Sequence, residues 1–152
     1  MRVGARSGLR RAEMRRLSDI IFNQNPLVLP QEASVRDACA LMSDRRAGSV
    51  MATDQSGKLA GIFTGRDAVT RVLAQGKDAM RTKLAEVMTT NPDTMLPEQT
   101  AIDALRLMWD GGYRHLPVVK EGRILGIVSR GDFKADEEDR LEEERNLWEH
   151  MR

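Results

Sequence analysis

The stretch Gly122-Arg123-Ile124-Leu125-Gly126-Ile127-Val128-Ser129-Arg130-Gly131-Asp132 joins a short apolar run to a polar turn that ends on a carboxylate. The same pattern stands earlier, as Gly57-Lys58-Leu59-Ala60-Gly61-Ile62-Phe63-Thr64-Gly65-Arg66-Asp67. In both copies a glycine opens the turn, a second glycine sits inside the apolar run, and a hydroxyl (Thr64 or Ser129) stands three residues before an aspartate. The offset of about 65 residues is too long for solenoid repeats, and there are only two copies. A duplicated unit sharing one core around a pseudo-twofold axis follows.

Working outward, each copy repeats the same order. Leu27-Val28-Leu29 reads as a short strand between prolines. Ser34 caps a helix in which Val35, Ala38, Cys39 and Met42 fall on one stripe. Ser49 to Thr53 is a strand, Asp54-Gln55-Ser56-Gly57 is turn chemistry, and Lys58 to Thr64 returns as the second arm of a hairpin. Asp67 is expected to open a helix with Val69, Val72 and Leu73 inward, ending at Gly76. The pattern then restarts: Leu84 to Met88 mirrors Leu17 to Ile21, and Asn91-Pro92 mirrors Asn25-Pro26. The stripe Ala101, Ala104, Leu105, Met108 repeats the one beginning at Val35, and Leu116 to Val119 and Ile124 to Ser129 are the second hairpin. The expected fold is α+β, with tandem β-α-β-β-α units packed as a pseudo-twofold pair and flanked by helices. The expected divisions are a basic extension at 1–16, a first unit at 17–76, a linker at 77–83, a second unit at 84–134 and an acidic helix at 135–152.

The ends differ from the repeats. Arg2, Arg6, Arg10, Arg11, Arg15 and Arg16 make the front basic, although the net charge of the whole is only +1. A ragged apolar face through Leu9, Met14, Leu17, Ile20, Ile21 and Phe22 predicts a helix from Leu9 that stops near Asn23 to Asn25, before Pro26. No aromatic residues interleave with those arginines, so they read as a solvated face or one that pairs with the acidic tail, not as a nucleic-acid surface. Phe133, Leu141, Trp148 and Met151 predict a long C-terminal helix with that stripe buried against its own module or a partner chain. No apolar run reaches the roughly 18 residues of a membrane helix, and no apolar segment follows the basic front as in a signal peptide. Cys39 is the only cysteine, which favours a reducing compartment and a cytoplasmic location. Neither His115 nor His150 has a ligand-spaced cluster of cysteines or carboxylates, so no zinc site is expected.

The end of each copy carries the chemistry. An aspartate at a helix entrance, just past a strand, stands at the mouth of a cleft, and its two oxygens can accept from both hydroxyls of a ribose. Thr64 or Ser129 lies beside the same helix N-terminus, whose free N–H groups suit phosphate, and Arg66 and Arg130 add charge. The other reading of Asp67 and Asp132 is helix capping, which also favours aspartate after a strand. No nucleophile–base pair and no phosphate-binding loop of the Walker type is present, so an enzyme is not expected. Arg130-Gly131-Asp132 also spells an adhesion tripeptide, but the repeat accounts for it.

With the closing motif Gly-x-x-x-Gly-Ile-(Val/Phe)-(Ser/Thr)-x-x-Asp in both copies, and Arg114-His115-Leu116-Pro117-Val118-Val119 in the second, the chain from Leu17 to Phe133 resembles a pair of CBS domains, the tandem also called a Bateman module. The resemblance implies a regulatory module that senses an adenosine-containing ligand (AMP, ADP, ATP, NAD(H) or S-adenosylmethionine) in clefts between paired units. It implies ribose contacts from Asp67 and Asp132 and phosphate contacts from Thr64, Ser129 and nearby basic residues. Arg114 and His115 match positions where phosphate-facing basic residues often stand. A homodimer acting on an unidentified effector protein is implied as well. The alternative is a structural dimerisation scaffold with vestigial clefts.

The copies are unequal. Glycine and arginine are transposed between Thr64-Gly65-Arg66-Asp67 and Ser129-Arg130-Gly131-Asp132. Val50-Met51 stands where the second copy has Leu116-Pro117, and Arg45-Arg46-Ala47-Gly48 where it has Gly111-Gly112-Tyr113-Arg114. The clefts are therefore expected to differ, with Ser129 and Asp132 in the more basic surroundings.

Overall fold

The computed structural model describes residues 14–150, and they form a mixed α+β fold. In chain order the elements are α1 (Leu17–Ile20), β1 (Val28–Pro30), α2 (Val35–Arg45), β2 (Ser49–Thr53), β3 (Leu59–Thr64) and α3 (Gly65–Asp67), which continues as a π-helical segment, Ala68–Leu73. Then follow α4 (Leu84–Val87), β4 (Thr89–Thr90), α5 (Ala101–Gly111), β5 (His115–Lys120), β6 (Arg123–Ser129), a 3-10 turn (Arg130–Asp132) and α6 (Ala135–His150).

The two long repeat helices form for the same local reasons. Ser34 Oγ accepts from Asp37 N–H at 3.1 Å, and Thr100 Oγ1 accepts from Asp103 N–H at 3.2 Å. Both helices end on a left-handed residue, Arg46 or Gly112. Val35, Ala38 and Met42 on α2, and Ala101, Ala104, Leu105 and Met108 on α5, are buried, while Cys39 is only partly covered.

The hairpins are also alike. β2 and β3 pair antiparallel with Ser49 opposite Thr64, and β5 and β6 pair with His115 opposite Ser129. Each has a register shift at the same place, Ala52/Thr53 and Val118/Val119. Gly57 and Gly122 open the turns at φ +82° and +80°, the left-handed region that favours glycine. The sheets are unequal. β1 to β4 form a four-stranded sheet in chain order, with β1 parallel to β2 and the other pairs antiparallel. β5 and β6 form a two-stranded sheet. The expected leading strand of the second copy is reduced to one parallel bridge, Met95 to Val118.

Two apolar cores result, in place of the single shared core expected, and the repeats exchange their leading turns between them. Leu17 and Ile21 lie with Met95, Ala104, Met108, Leu116, Val118 and Val128. Leu84, Val87 and Met88 lie with Leu27, Val35, Ala38, Val50, Phe63 and Val72. Backbone bonds fix the exchange: Leu17 N–H donates to Gln99 C=O and Leu84 N–H to Ala33 C=O, each at 2.9 Å.

Four local expectations are corrected. The part of the predicted N-terminal helix from Leu9 to Glu13 lies outside the described residues; Met14 to Arg16 are not helical, and Phe22 is exposed. The helix expected to open at Asp67 opens at Gly65, with Thr64 as its N-cap. Its π-helical continuation buries only Val72; Val69 and Leu73 are 56% and 71% exposed, because the wider turn rotates them off the core face. On the C-terminal side, Phe133 is extended and precedes α6, Leu141 is buried, Trp148 is exposed, and Met151 is outside the described residues.

Candidate functional site

The end of β3 delivers the first candidate residues. Thr64 N–H donates to Asp67 Oδ2 at 3.0 Å, and Asp67 N–H donates to Thr64 Oγ1 at 3.2 Å. This reciprocal capping box fixes the carboxylate at the mouth of a helix. The Asp67 side chain is only 14% exposed, and its second oxygen, Oδ1, faces Arg71 Nε at 3.5 Å. The capping reading of Asp67 holds: one oxygen caps the helix, and the other faces Arg71.

Asp67 borders a cleft of about 730 Å³ between the repeats. Thr64, Gly65, Arg66 and Arg71 line one side, and Tyr113, Arg114 and His115 of the second repeat line another. The segment after α4 closes it with Thr89, Asn91, Pro92 and Asp93. Arg114 and His115 of the second copy thus line the same cleft as Thr64, Arg66 and Asp67 of the first. The exchange of leading turns is the reason, since it opens the cleft between copies rather than within one.

The electrostatics of the cleft are uneven. Arg66 and Arg114 are exposed, and neither guanidinium forms an ion pair among the described residues. Arg71 also donates to the carbonyls of Val87 and Met88, both at 3.1 Å, so it is anchored as well as charged. His115 is half-buried, and its ring lies over Gly48, where an added Cβ would come within 3.1 Å of Nε2. Burial pushes the His115 imidazolium below its ordinary value, Arg114 pushes the same way, and Asp132 opposes them. Tyr113 Oη donates to Asp93 Oδ2 at 2.5 Å, and this bond raises the phenol above its usual range.

The sequence pattern does not mark Arg71, Asn91, Asp93 or Tyr113 as site residues. For Arg71 the spacing was a signal, since it follows Asp67 by one helical turn. Asn91 and Tyr113 were quoted as repeat landmarks only, and Asp93 carried no motif.

Ser129, Arg130 and Asp132 lie outside this cleft. Asp132 Oδ2 accepts from Ser129 N–H at 2.7 Å, which copies the first capping arrangement, but Asp132 is exposed. The Arg130 guanidinium lies 5.1 Å from the Trp109 ring centroid, and its Nε, 3.9 Å from a Glu138 oxygen of α6, is buried without a hydrogen-bond partner.

The family model described as CBS domain matches twice, at residues 17–74 and 84–135. The CBS domain-containing protein CBSCBSPB3 of Arabidopsis thaliana is 39% identical over 67% of this chain, which spans only 18% of that protein. The first curated relatives are thus several times longer than the matched segment. The CBS domain-containing protein YhcV of Bacillus subtilis is 32% identical and is matched over 82% of this chain and 86% of its own length. Among solved structures, the CBS domain pair of protein MJ0100, in complex with 5′-methylthioadenosine and S-adenosyl-L-methionine, has a TM-score of 0.70. It is 26% identical, with 78% of this chain and 92% of that one covered. Two matched units and a shared fold make this chain a member of the CBS domain family, carrying a tandem pair.

Proposed function

We propose that the chain is a regulatory binding module that takes an adenosine-containing small molecule in the Asp67 cleft. The observation that carries this is the half-buried Asp67 carboxylate at the edge of the cleft, capping the helix through one oxygen and facing Arg71 through the other, with Thr64, Arg66, Arg114 and His115 lining the same cleft. A carboxylate there can accept from a ribose diol, and the helix entrance and guanidiniums suit phosphate. The relative solved with 5′-methylthioadenosine and S-adenosyl-L-methionine supports the adenosine class. The ligand acts by favouring one of two states of the paired repeats, which a second copy or an effector protein reads.

The test is a thermal-shift panel of AMP, ADP, ATP, NAD, NADH and S-adenosylmethionine, followed by calorimetry. Ligand at 100 times its dissociation constant adds about 2.7 kcal/mol of stability. Asp67→Ala is expected to weaken binding about ten- to a hundredfold. A panel with no melting shift would leave the scaffold reading in its place.

A further inference from the structure

One wall of the Asp67 cleft carries a side chain that the carboxylate and guanidinium contacts leave unused. Tyr113 lines the cleft, and among the described residues that do so only it and His115 have aromatic rings. The tyrosine is fixed at three points. Its backbone N–H donates to Met108 C=O at 3.1 Å, at the end of α5. Its ring lies on Gly111, where an added Cβ would meet Cε2 and lie 2.7 Å from Cδ2. Its Oη donates to Asp93 Oδ2 at 2.5 Å, and Asp93 lines the same cleft from the segment after β4. One side of the ring is thus taken by backbone, while Tyr113 as a whole stays 37% exposed.

This arrangement belongs to the second copy alone. Arg46 and Gly112 each end their helix in the left-handed region, which aligns Arg45 with Gly111 and Ala47 with Tyr113. The first copy therefore has neither the ring nor the bare backbone that seats it. Gly111 is not at a positive φ, so its backbone angle does not call for glycine; the room above its Cα is what the ring uses. Ile62, Pro92 and Leu116 give the cleft an apolar lining besides its polar one. A nucleobase is held by flat contact rather than by charge, and an aromatic face supplies it. A ring already locked by its neighbours loses little rotamer freedom when a ligand arrives.

We infer that Tyr113 is the residue that reads the base of the ligand, its ring a fixed platform on which a purine stacks, and that Gly111 and Asp93 are positioning residues that hold the platform in place. The inference rests on the adenosine reading of the cleft and adds the contact for the part of an adenosine compound that Asp67 and the guanidiniums do not touch. The bond from the phenol to Asp93 is charge-assisted, and it raises the phenol above its usual range, so the proton stays in that bond at neutral pH.

Calorimetry with AMP on the full chain and three variants tests it. Tyr113→Phe keeps the ring and is expected to bind AMP within about threefold of the unaltered chain, whereas Tyr113→Leu binds at least about fivefold more weakly. Gly111→Ala leaves the tyrosine in the chain and suits a helix, but its methyl drives the ring off its seat, so AMP is expected to bind at least about fivefold more weakly here too. Tyr113 is the only tyrosine, so isotope-labelled tyrosine in the unaltered chain gives the ring signals of this residue alone. AMP is expected to move them upfield as the purine stacks. Full affinity in Tyr113→Leu or Gly111→Ala, equal losses in Tyr113→Phe and Tyr113→Leu, or tyrosine signals unmoved by saturating AMP would overturn the inference and leave the adenosine reading intact. If the unaltered chain binds none of AMP, ATP, NAD and S-adenosylmethionine, both fall.

Discussion

At the scale of single residues, the repeat glycines inside the strands are set by close approach rather than by backbone angle. A Cβ on Gly61 would come within 2.5 Å of Met88 Sδ and 2.7 Å of Thr89 C=O. The sulfur end of a methionine can swing aside, but the carbonyl belongs to β4 and is held by pairing with β3. Gly61→Ala must therefore push β4 outward, at a cost of about 1–3 kcal/mol. Thr89 lines the cleft, so the same change is expected to weaken ligand binding. Urea unfolding and calorimetry on one preparation check both effects, and a wild-type midpoint would show that β4 is loosely held. Asp67 was legible in the sequence because a repeat exposed it. That it caps a helix was not, since capping and ligand binding call for the same residue at the same place.

At the scale of elements, what was legible depended on whether the element is held by apolar spacing or by ions. α2 and α5 were readable from a cap and a stripe, and both are buried along that stripe. α6 was readable as a helix, but of its expected apolar face Leu141 is buried, Phe133 packs against the second core from ahead of the helix, and Trp148 is exposed. The remaining attachment is polar. Glu137 is 8% exposed and is held by Arg15 and by the Lys134 N–H at 2.8 Å, and Arg106 reaches Glu144 at 2.7 Å. Charge pairs between distant segments leave no periodic trace, so sequence spacing could not find them. Burial works against the Glu137 charge, but Arg15 and the Lys134 N–H outweigh it and hold the carboxyl below its ordinary value of 4.5. A depressed folded value stabilises the fold fully above the ordinary value, and this contribution is lost as pH falls through the depressed one. Glu137→Gln is therefore expected to be less stable at neutral pH by about 1–3 kcal/mol. It should also show a flatter decline than the wild type on acidification below about 4.5. Denaturant midpoints across pH 3 to 7 measure both; parallel curves for the two proteins would show that Glu137 is not the titrating group.

At the scale of the whole molecule, the exchange of leading turns decides what the repeats can do separately. Matching one copy to the other shows that they are alike but not which faces which, so the sequence does not place Arg114 and His115 beside Asp67. Leu17 is wholly buried in the second core and Leu84 in the first, so neither half contains its own full set of core residues. Cutting the chain in the exposed turn at Gly76 to Lys77 would strand Leu17, Ile21 and Arg15 with the first half. A fragment of residues 77–150 would then lack two core side chains and the guanidinium that meets Glu137, a loss well beyond the 2–5 kcal/mol typical of one buried leucine. The net stability of such a small unit is only about 0.05–0.15 kcal/mol per residue, so that loss exceeds what it has. Neither half is expected to unfold cooperatively on its own, and mixing the two should restore a single transition together with ligand binding, since the cleft needs Asp67 from one half and Arg114 from the other. Circular dichroism melts of each fragment and of the mixture give the answer. A sharp transition from residues 77–150 alone would mean that the exchanged turns only decorate two self-sufficient domains.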